Sequence, residues 1–163
     1  MMENKKYEFV DGDTIIASNG KTLRRIRALV AIGLTVAAGD LGGYIESKNN
    51  LSASGDAWVY GDARVYGNAL VSGDARVSGD ARLSGNAWVE KRNDVFLVYS
   101  VGSENGTLTV TNGKSGLIVT RGCFCGSVEE FLSASEKKHD ERIQREDQLL
   151  IEVAKSRILG ATQ

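Results

Sequence analysis

The sequence predicts a mainly-β chain with a helical C-terminus, organised around a short three-sided parallel solenoid. Three observations carry this expectation. Leu41 to Trp88 reads as eight consecutive six-residue units: LGGYIE, SKNNLS, ASGDAW, VYGDAR, VYGNAL, VSGDAR, VSGDAR and LSGNAW. Nineteen glycines with no proline suit stacked backbones whose N–H groups must each donate to the coil above or below. Beyond Ser127 the apolar positions take up helical spacing behind a capping box, Ser127 with Glu130.

Residues 1–40 are expected to form a small β cap, because a solenoid end exposes unpaired strand edges that something must cover. Tyr7–Val10, Thr14–Ala17 and Thr22–Ala28 alternate like strands, and Asn19-Gly20 is a hairpin signal between the last two. Arg24, Arg25 and Arg27 form a dense basic cluster. They suit either a solvated strand face or contacts to an anion or partner.

Within residues 41–92 each later unit runs Val or Leu, a polar or aromatic residue, Gly, Asp or Asn, Ala, then a variable residue. A straight run of four residues followed by a two-residue corner explains that order. In the extended run Ala57 and Val59 share one face and Trp58 and Tyr60 the other. Three sides close a coil of about eighteen residues, so Val59 should stack on Val77, Val65 on Leu83 and Val71 on Val89. Each buried Val or Leu contributes roughly 1.5–3 kcal/mol. At the corners Asp56 over Asp74 and Asp62 over Asp80 bring like charges together; their carboxylates are expected to turn back onto backbone N–H groups, the alternative being a shared cation. Asn68 over Asn86 fills the third corner without charge.

The outward positions are the candidate surface. Trp58, Tyr60, Tyr66, Leu70 and Trp88 are expected to serve as interface anchors, with Arg64, Arg76 and Arg82 as anion or partner contacts beside them. The alternative is that the chain's own terminal elements cover the aromatics.

Residues 93–163 read as an α+β element, with strands at about 95–121 and helices at about 128–138 and 141–159. Val95–Val101 is a strand; Thr107–Thr111 and Leu117–Arg121 make a hairpin through Asn112–Gly116. Phe131 and Leu132 dock the first helix. Leu150, Val153, Ala154 and Ile158 form one apolar stripe on the second.

The composition is that of an ordinary globular protein, and a formal charge of −1 gives no global footprint for nucleic acid. The N-terminus MMENKKYEF lacks the apolar core of a leader, and no run of apolar residues is long enough to span a bilayer, so a cytoplasmic location and no membrane partner are expected. Cys123 and Cys125 flank Phe124 without a further Cys or a nearby His. They are expected to be reduced structural thiols, with no metal site.

The repeat units resemble the left-handed β-helix of hexapeptide-repeat proteins, whose unit pairs an aliphatic residue with a small one four positions later. Val59 with Ala63, Val65 with Ala69, Val71 with Ala75 and Val77 with Ala81 fit it. The left hand is what the resemblance implies, since parallel crossovers otherwise favour the right. It also implies a homotrimer of parallel solenoids burying the outward aromatics, with a dimer through the C-terminal helix as an alternative. More narrowly, GDLGGYIES, the GDARVYGNA-type run and RGCFCGSVEEF resemble a group of phage and prophage accessory proteins, which would place the chain in a host cytoplasm.

Many hexapeptide solenoids are acyltransferases that use a His as general base. Here His139 is the sole histidine and lies far past the repeats, with no insertion loop between units to shape an acyl-donor site. No phosphate loop or nucleophile constellation replaces it. The expectation is therefore a non-enzymatic binding protein, without catalytic residues or a cofactor; the resemblance to phage and prophage proteins implies that it binds a host protein or a small signalling molecule in host takeover or anti-defence. A His139-dependent acyltransferase and a virion or fibre component are the alternatives.

Overall fold

A corner every six residues forces each short strand to find its partner three sides later, so the strands pair in parallel across the sequence. In the computed structural model, which describes residues 4–160, this gives three parallel ladders. β4 (Trp58–Val59) pairs with β7 (Arg76–Val77), β5 (Arg64–Val65) with β8 (Arg82–Leu83), and β6 (Leu70–Val71) with β9 (Trp88–Val89). The registers Val59–Val77, Val65–Leu83 and Val71–Val89 are those expected from the period. These residues and Ala57, Ala63, Ala69, Ala75, Ala81 and Ala87 are buried. The coils are joined by bonds such as Trp58 N–H to the Ala75 carbonyl at 3.1 Å and Arg64 N–H to the Ala81 carbonyl at 2.9 Å.

The first two units do not keep this phase. Ile45 of β3 (Leu41–Ile45) partners Val65, and Leu51 partners Val71. Both pairs lie twenty residues apart rather than eighteen. Two additional residues are absorbed before the Gly55-Asp56 corner, and Leu41, which a strict six-residue count would bury, is 55% exposed. Asn50, fully buried, stitches this longer coil. Its amide donates to the Gly67 and Ala69 carbonyls at 3.2 and 2.9 Å, while its side-chain oxygen accepts from Ser47 N–H at 2.9 Å.

The corners also differ from expectation. Their amides bond coil to coil, Asp56 N–H to Gly73 O at 3.1 Å and Asp74 N–H to Glu90 O at 3.0 Å. Among the described residues no backbone N–H donates to the carboxylates of Asp56, Asp74 or Asp80. Glycine is required where the next tier crowds the corner. Gly73 has φ +59°, and a Cβ there would sit 2.6 Å from the Glu90 carbonyl oxygen. Gly73→Ala is expected to lower stability by about 1–3 kcal/mol, read as the urea midpoint. Gly20→Ala, at φ +83° but with open space around it, should lose visibly less, since only the backbone strain remains.

The N-terminal element caps the first coil by extending its sheet. β1 (Tyr7–Ile16) and β2 (Thr22–Ala28) form an antiparallel hairpin, β2 pairs antiparallel with β3, and the sheet order is β1-β2-β3-β5-β8. The two strands expected before Asn19 are one, bent by an irregularity between Phe9 and Thr14. Gly43 allows β3 to lie close, because a Cβ there would meet the Ala63 carbonyl oxygen and a Val59 methyl.

At the other end the chain leaves the coils through a turn organised by Asp94. This buried carboxylate accepts from Glu90 N–H and Lys91 N–H at 2.9 and 3.0 Å and from the Asn112 amide at 3.1 Å. A four-stranded antiparallel sheet follows, in order β10 (Val95–Val101), β11 (Gly106–Thr111), β12 (Ile118–Arg121), β13 (Phe124–Ser127). β13 was not expected; it carries Cys125. The sheet closes the last coil with Trp88 N–H to Asn112 O at 2.8 Å, Lys114 N–H to Asn86 O at 3.1 Å and Arg82 N–H to Thr109 Oγ1 at 3.2 Å.

α1 (Val128–Lys138) starts at the expected capping box, with reciprocal Ser127 and Glu130 bonds of 3.1 and 2.9 Å. α2 (Glu141–Leu159) buries Ile143, Asp147, Ile151 and Ala154. The stripe is thus rotated from the expected one: Val153 is exposed, while Leu150 and Ile158 pack at its margin. Among the described residues no helix is long and apolar enough to cross a membrane.

Candidate functional site

The aromatic anchors are mostly taken up by the chain itself. Trp58 is 1% exposed, set edge-to-face against Tyr7 with ring centroids 6.3 Å apart. The expectation of Trp58 as an exposed anchor is therefore corrected: among the described residues β4 pairs with β7 alone, and cap residues such as Tyr7 and Ile26 cover the indole. Tyr66 is also buried, within hydrogen-bond distance of the Ser18 hydroxyl at 3.1 Å, and Tyr60 meets the Thr35 hydroxyl at 3.0 Å. Leu70 and Trp88, paired on the β6/β9 side, stay partly exposed. Trp88 donates its indole N–H to Glu90 at 2.6 Å and carries the Lys114 amine 5.0 Å above its ring.

The cap arginines are likewise committed. Arg25 places all five guanidinium donors: Nε on Asp13 at 2.7 Å, one terminal nitrogen on the Gly42 and Gly61 carbonyls, the other on the Tyr44 hydroxyl and Asp62. A guanidinium with five satisfied donors has nothing left for an anion, so Arg25 is a clamp between cap and coil. The Tyr44 hydroxyl, with Arg25 beside it, holds the Asp13 carboxyl below its ordinary range. Arg24 stacks 3.7 Å over Phe9, and Arg27 pairs with Glu8 at 3.4 Å. The anion-contact reading is corrected for Arg25, and the structure gives Arg24 and Arg27 partners inside the cap.

Arg64, Arg76 and Arg82 are different. Among the described residues the ion pairs are made by Arg25, Arg27 and Arg121, so the solenoid arginines carry no carboxylate partner. Arg64 and Arg82 stack on one side and line a depression of about 410 Å³ with Tyr44, Asp62 and Asp80. Arg76 lies on the β4/β7 side, in a more cationic setting.

That setting is a pair of adjoining depressions. One, of about 510 Å³, is lined by Arg76, Lys91, Arg92, Asn93, Tyr60, Thr35, Asp56 and Asp74 together with Ile32 and Gly33. The other, of about 560 Å³, is lined by Lys5, Lys6, Val30, Ala31, Ala53 and Gly55 and shares Ile32 and Asp56 with the first. Five cations thus meet two carboxylates, on a chain whose net charge is −1. The β4/β7 side supplies Arg76 and Tyr60, the exit turn fixed by Asp94 supplies Lys91 and Arg92, and the loop after β2 supplies the apolar wall. Of this groove, Arg76, Tyr60 and the stacked corner residues Asp56 and Asp74 were singled out in the sequence. The run Glu90–Asp94 was legible as a charged turn, but not as a neighbour of Lys6.

The C-terminal element holds a second polar centre. Asp147, fully buried, receives Arg121 through two bonds of 2.7 and 3.0 Å and the Ser135 hydroxyl at 2.7 Å. Arg121 also lies 4.7 Å over Phe131. His139 ends α1, where its carbonyl accepts from Gln144 at 2.7 Å, and it borders a depression with Arg121, Cys123 and Lys138. It lines none of the three solenoid depressions. Cys123 and Cys125 are free and exposed rather than buried, and Ser84 donates to the Cys125 sulfur at 3.0 Å. Among the described residues no group of His, Cys, Asp or Glu could hold a metal ion.

Comparison with known families agrees with the coils. The family model described as YdcK β-solenoid repeat matches residues 57–73 and, overlapping them, residues 63–79. The chain is therefore similar to β-solenoid repeat proteins over that stretch. No curated protein matches it.

Proposed function

We propose that the protein is a non-catalytic binding protein and that the groove beside β4 and β7 holds a small anion bearing phosphate or carboxylate groups. The observation that carries this reading is the convergence of Arg76, Lys91 and Arg92 in one depression without carboxylate partners. An unpaired guanidinium offers a planar fork that matches phosphate and carboxylate oxygens. Tyr60 and the wall of Val30, Ala31 and Ile32 add flat and apolar contact, which suits a ligand with a ring or acyl portion rather than a bare inorganic ion.

The groove is preferred over the Arg64–Arg82 depression on charge. There Asp62 and Asp80 stand against two guanidinium groups without an ion-pair partner, those of Arg64 and Arg82, Arg25 being saturated. The transferase alternative lacks support in the groove, where no histidine stands as general base. Resemblance to phage and prophage accessory proteins gives the capture of a host signal molecule, as host takeover or anti-defence, as the biological setting. Left-handed winding and a homotrimer covering Leu70 and Trp88 belong to the same proposal.

Titration calorimetry with nucleotide mono- and diphosphates tests the reading. Binding should weaken about tenfold or more in Arg76→Ala and in Arg92→Ala, the loss of one charge-assisted contact each. Affinity should fall with added salt and be unchanged in His139→Ala. Binding that survives both groove variants but is lost in Arg64→Ala/Arg82→Ala would move the site. Absence of binding to any anion would end the proposal.

A further inference from the structure

Lys6 is a nucleophile that anion binding alone does not use. It is 5% exposed, yet it lines the apolar half of the groove. Its root is fixed at both ends: Lys6 N–H donates to the Asn4 side chain at 3.0 Å and its carbonyl accepts from Leu29 N–H at 2.9 Å. The ammonium has three donors, and one acceptor is present, the Ser52 carbonyl at 3.0 Å. Lys5 and Asp56 face the same depression; Tyr7, next in sequence, has its hydroxyl committed to the Leu51 and Lys48 carbonyls. Burial pulls the Lys6 amine down to about 8, against an upward pull from Asp56. Near pH 8 about half of Lys6 is therefore neutral, against under roughly 1% of an ordinary lysine.

We propose that Lys6 captures the ligand covalently: its amine adds to the carbonyl carbon of an aldehyde-bearing anion held in the groove and forms a reversible imine. This rests on the anion-binding reading of the groove. In the first step the nitrogen lone pair forms the C–N bond, and the carbonyl π pair moves to oxygen, which takes up the proton lost from nitrogen. In the second step that hydroxyl leaves as water with the remaining amine proton, giving C=N with no net oxidation or reduction. Asp56 is the carboxylate in the wall able to take and return the proton.

Pyridoxal 5′-phosphate, an aldehyde with a phosphate, is a suitable probe, trapped with borohydride and located by peptide mass spectrometry on the intact chain. Lys6 should label at least tenfold faster than any other lysine at pH 8. Its rate should rise through a midpoint near pH 8, fall severalfold in Arg76→Ala, and vanish in Lys6→Met. Labelling spread over exposed lysines, or a Lys6 rate that rises only near pH 10, would overturn the covalent step whether or not the variant folds. Pyridoxine 5′-phosphate, which lacks the aldehyde, reads the groove alone. If it binds while Lys6 stays unlabelled, the imine is refuted and the groove stands; if neither compound binds, both readings fall.

Discussion

Arg121→Met is expected to destabilise the protein by about 5 kcal/mol, and Asp147→Leu by about 3 kcal/mol. The asymmetry follows from burial. Asp147 is fully enclosed, whereas the Arg121 side chain is 15% exposed beside an open depression. Removing the arginine leaves a carboxylate in the core with the Ser135 hydroxyl as its remaining donor. Removing the aspartate leaves a guanidinium that can swing toward water. Replacing both, in Arg121→Met/Asp147→Leu, should recover most of the loss, because two apolar side chains of similar volume leave no uncompensated charge. Urea unfolding of the four proteins checks this. If the double variant loses as much as the two singles together, the pair is not coupled and the account fails.

This centre illustrates what the sequence did and did not disclose. The capping box of α1 was readable because Ser127 and Glu130 are three residues apart and each bonds the other's backbone. Asp147 was not, since its partner lies twenty-six positions earlier on β12. An acidic residue among the charges of Glu141–Asp147 carries no mark of burial. It also explains why the apolar stripe of α2 was misplaced: the inward face is centred on a polar residue, with Ile143 and Ile151 on either side.

The same division runs through the solenoid. From Val59 onward every unit repeats its predecessor, so period alone fixed the register. LGGYIE and SKNNLS lack the Gly-Asp-Ala corner, and there the count slipped by two residues. The groove was legible only in part, through Arg76, Tyr60 and the Asp56–Asp74 corner, because its cations come from the chain's start, a coil side and the exit turn. Arg25 shows the converse. A cluster of three arginines within four residues invites an anion, yet contacts with Asp13, Gly42, Tyr44, Gly61 and Asp62 fill it from within.

Trp58→Ala is expected to cost about 3–5 kcal/mol, the range for emptying a fully enclosed large aromatic. The indole is held by Tyr7, and a Cβ added at Gly42 would fall 2.8 Å from it, so neither side has slack to collapse into the void. Trp58→Phe should lose less, because a smaller ring still fills part of the space and can keep an edge-to-face contact with Tyr7. The two roles weighed for this residue separate cleanly. As an anchor between subunits, its loss would lower the mass seen by light scattering while the unfolding midpoint stayed near that of the parent. As the keystone of the cap, it should leave the mass unchanged and lower the midpoint at every protein concentration. The groove gives a further readout: Tyr7 adjoins Lys6, so a loosened Trp58 pocket should let the amine reach solvent, and the selectivity of pyridoxal 5′-phosphate for Lys6 at pH 8 should fall toward that of the other lysines.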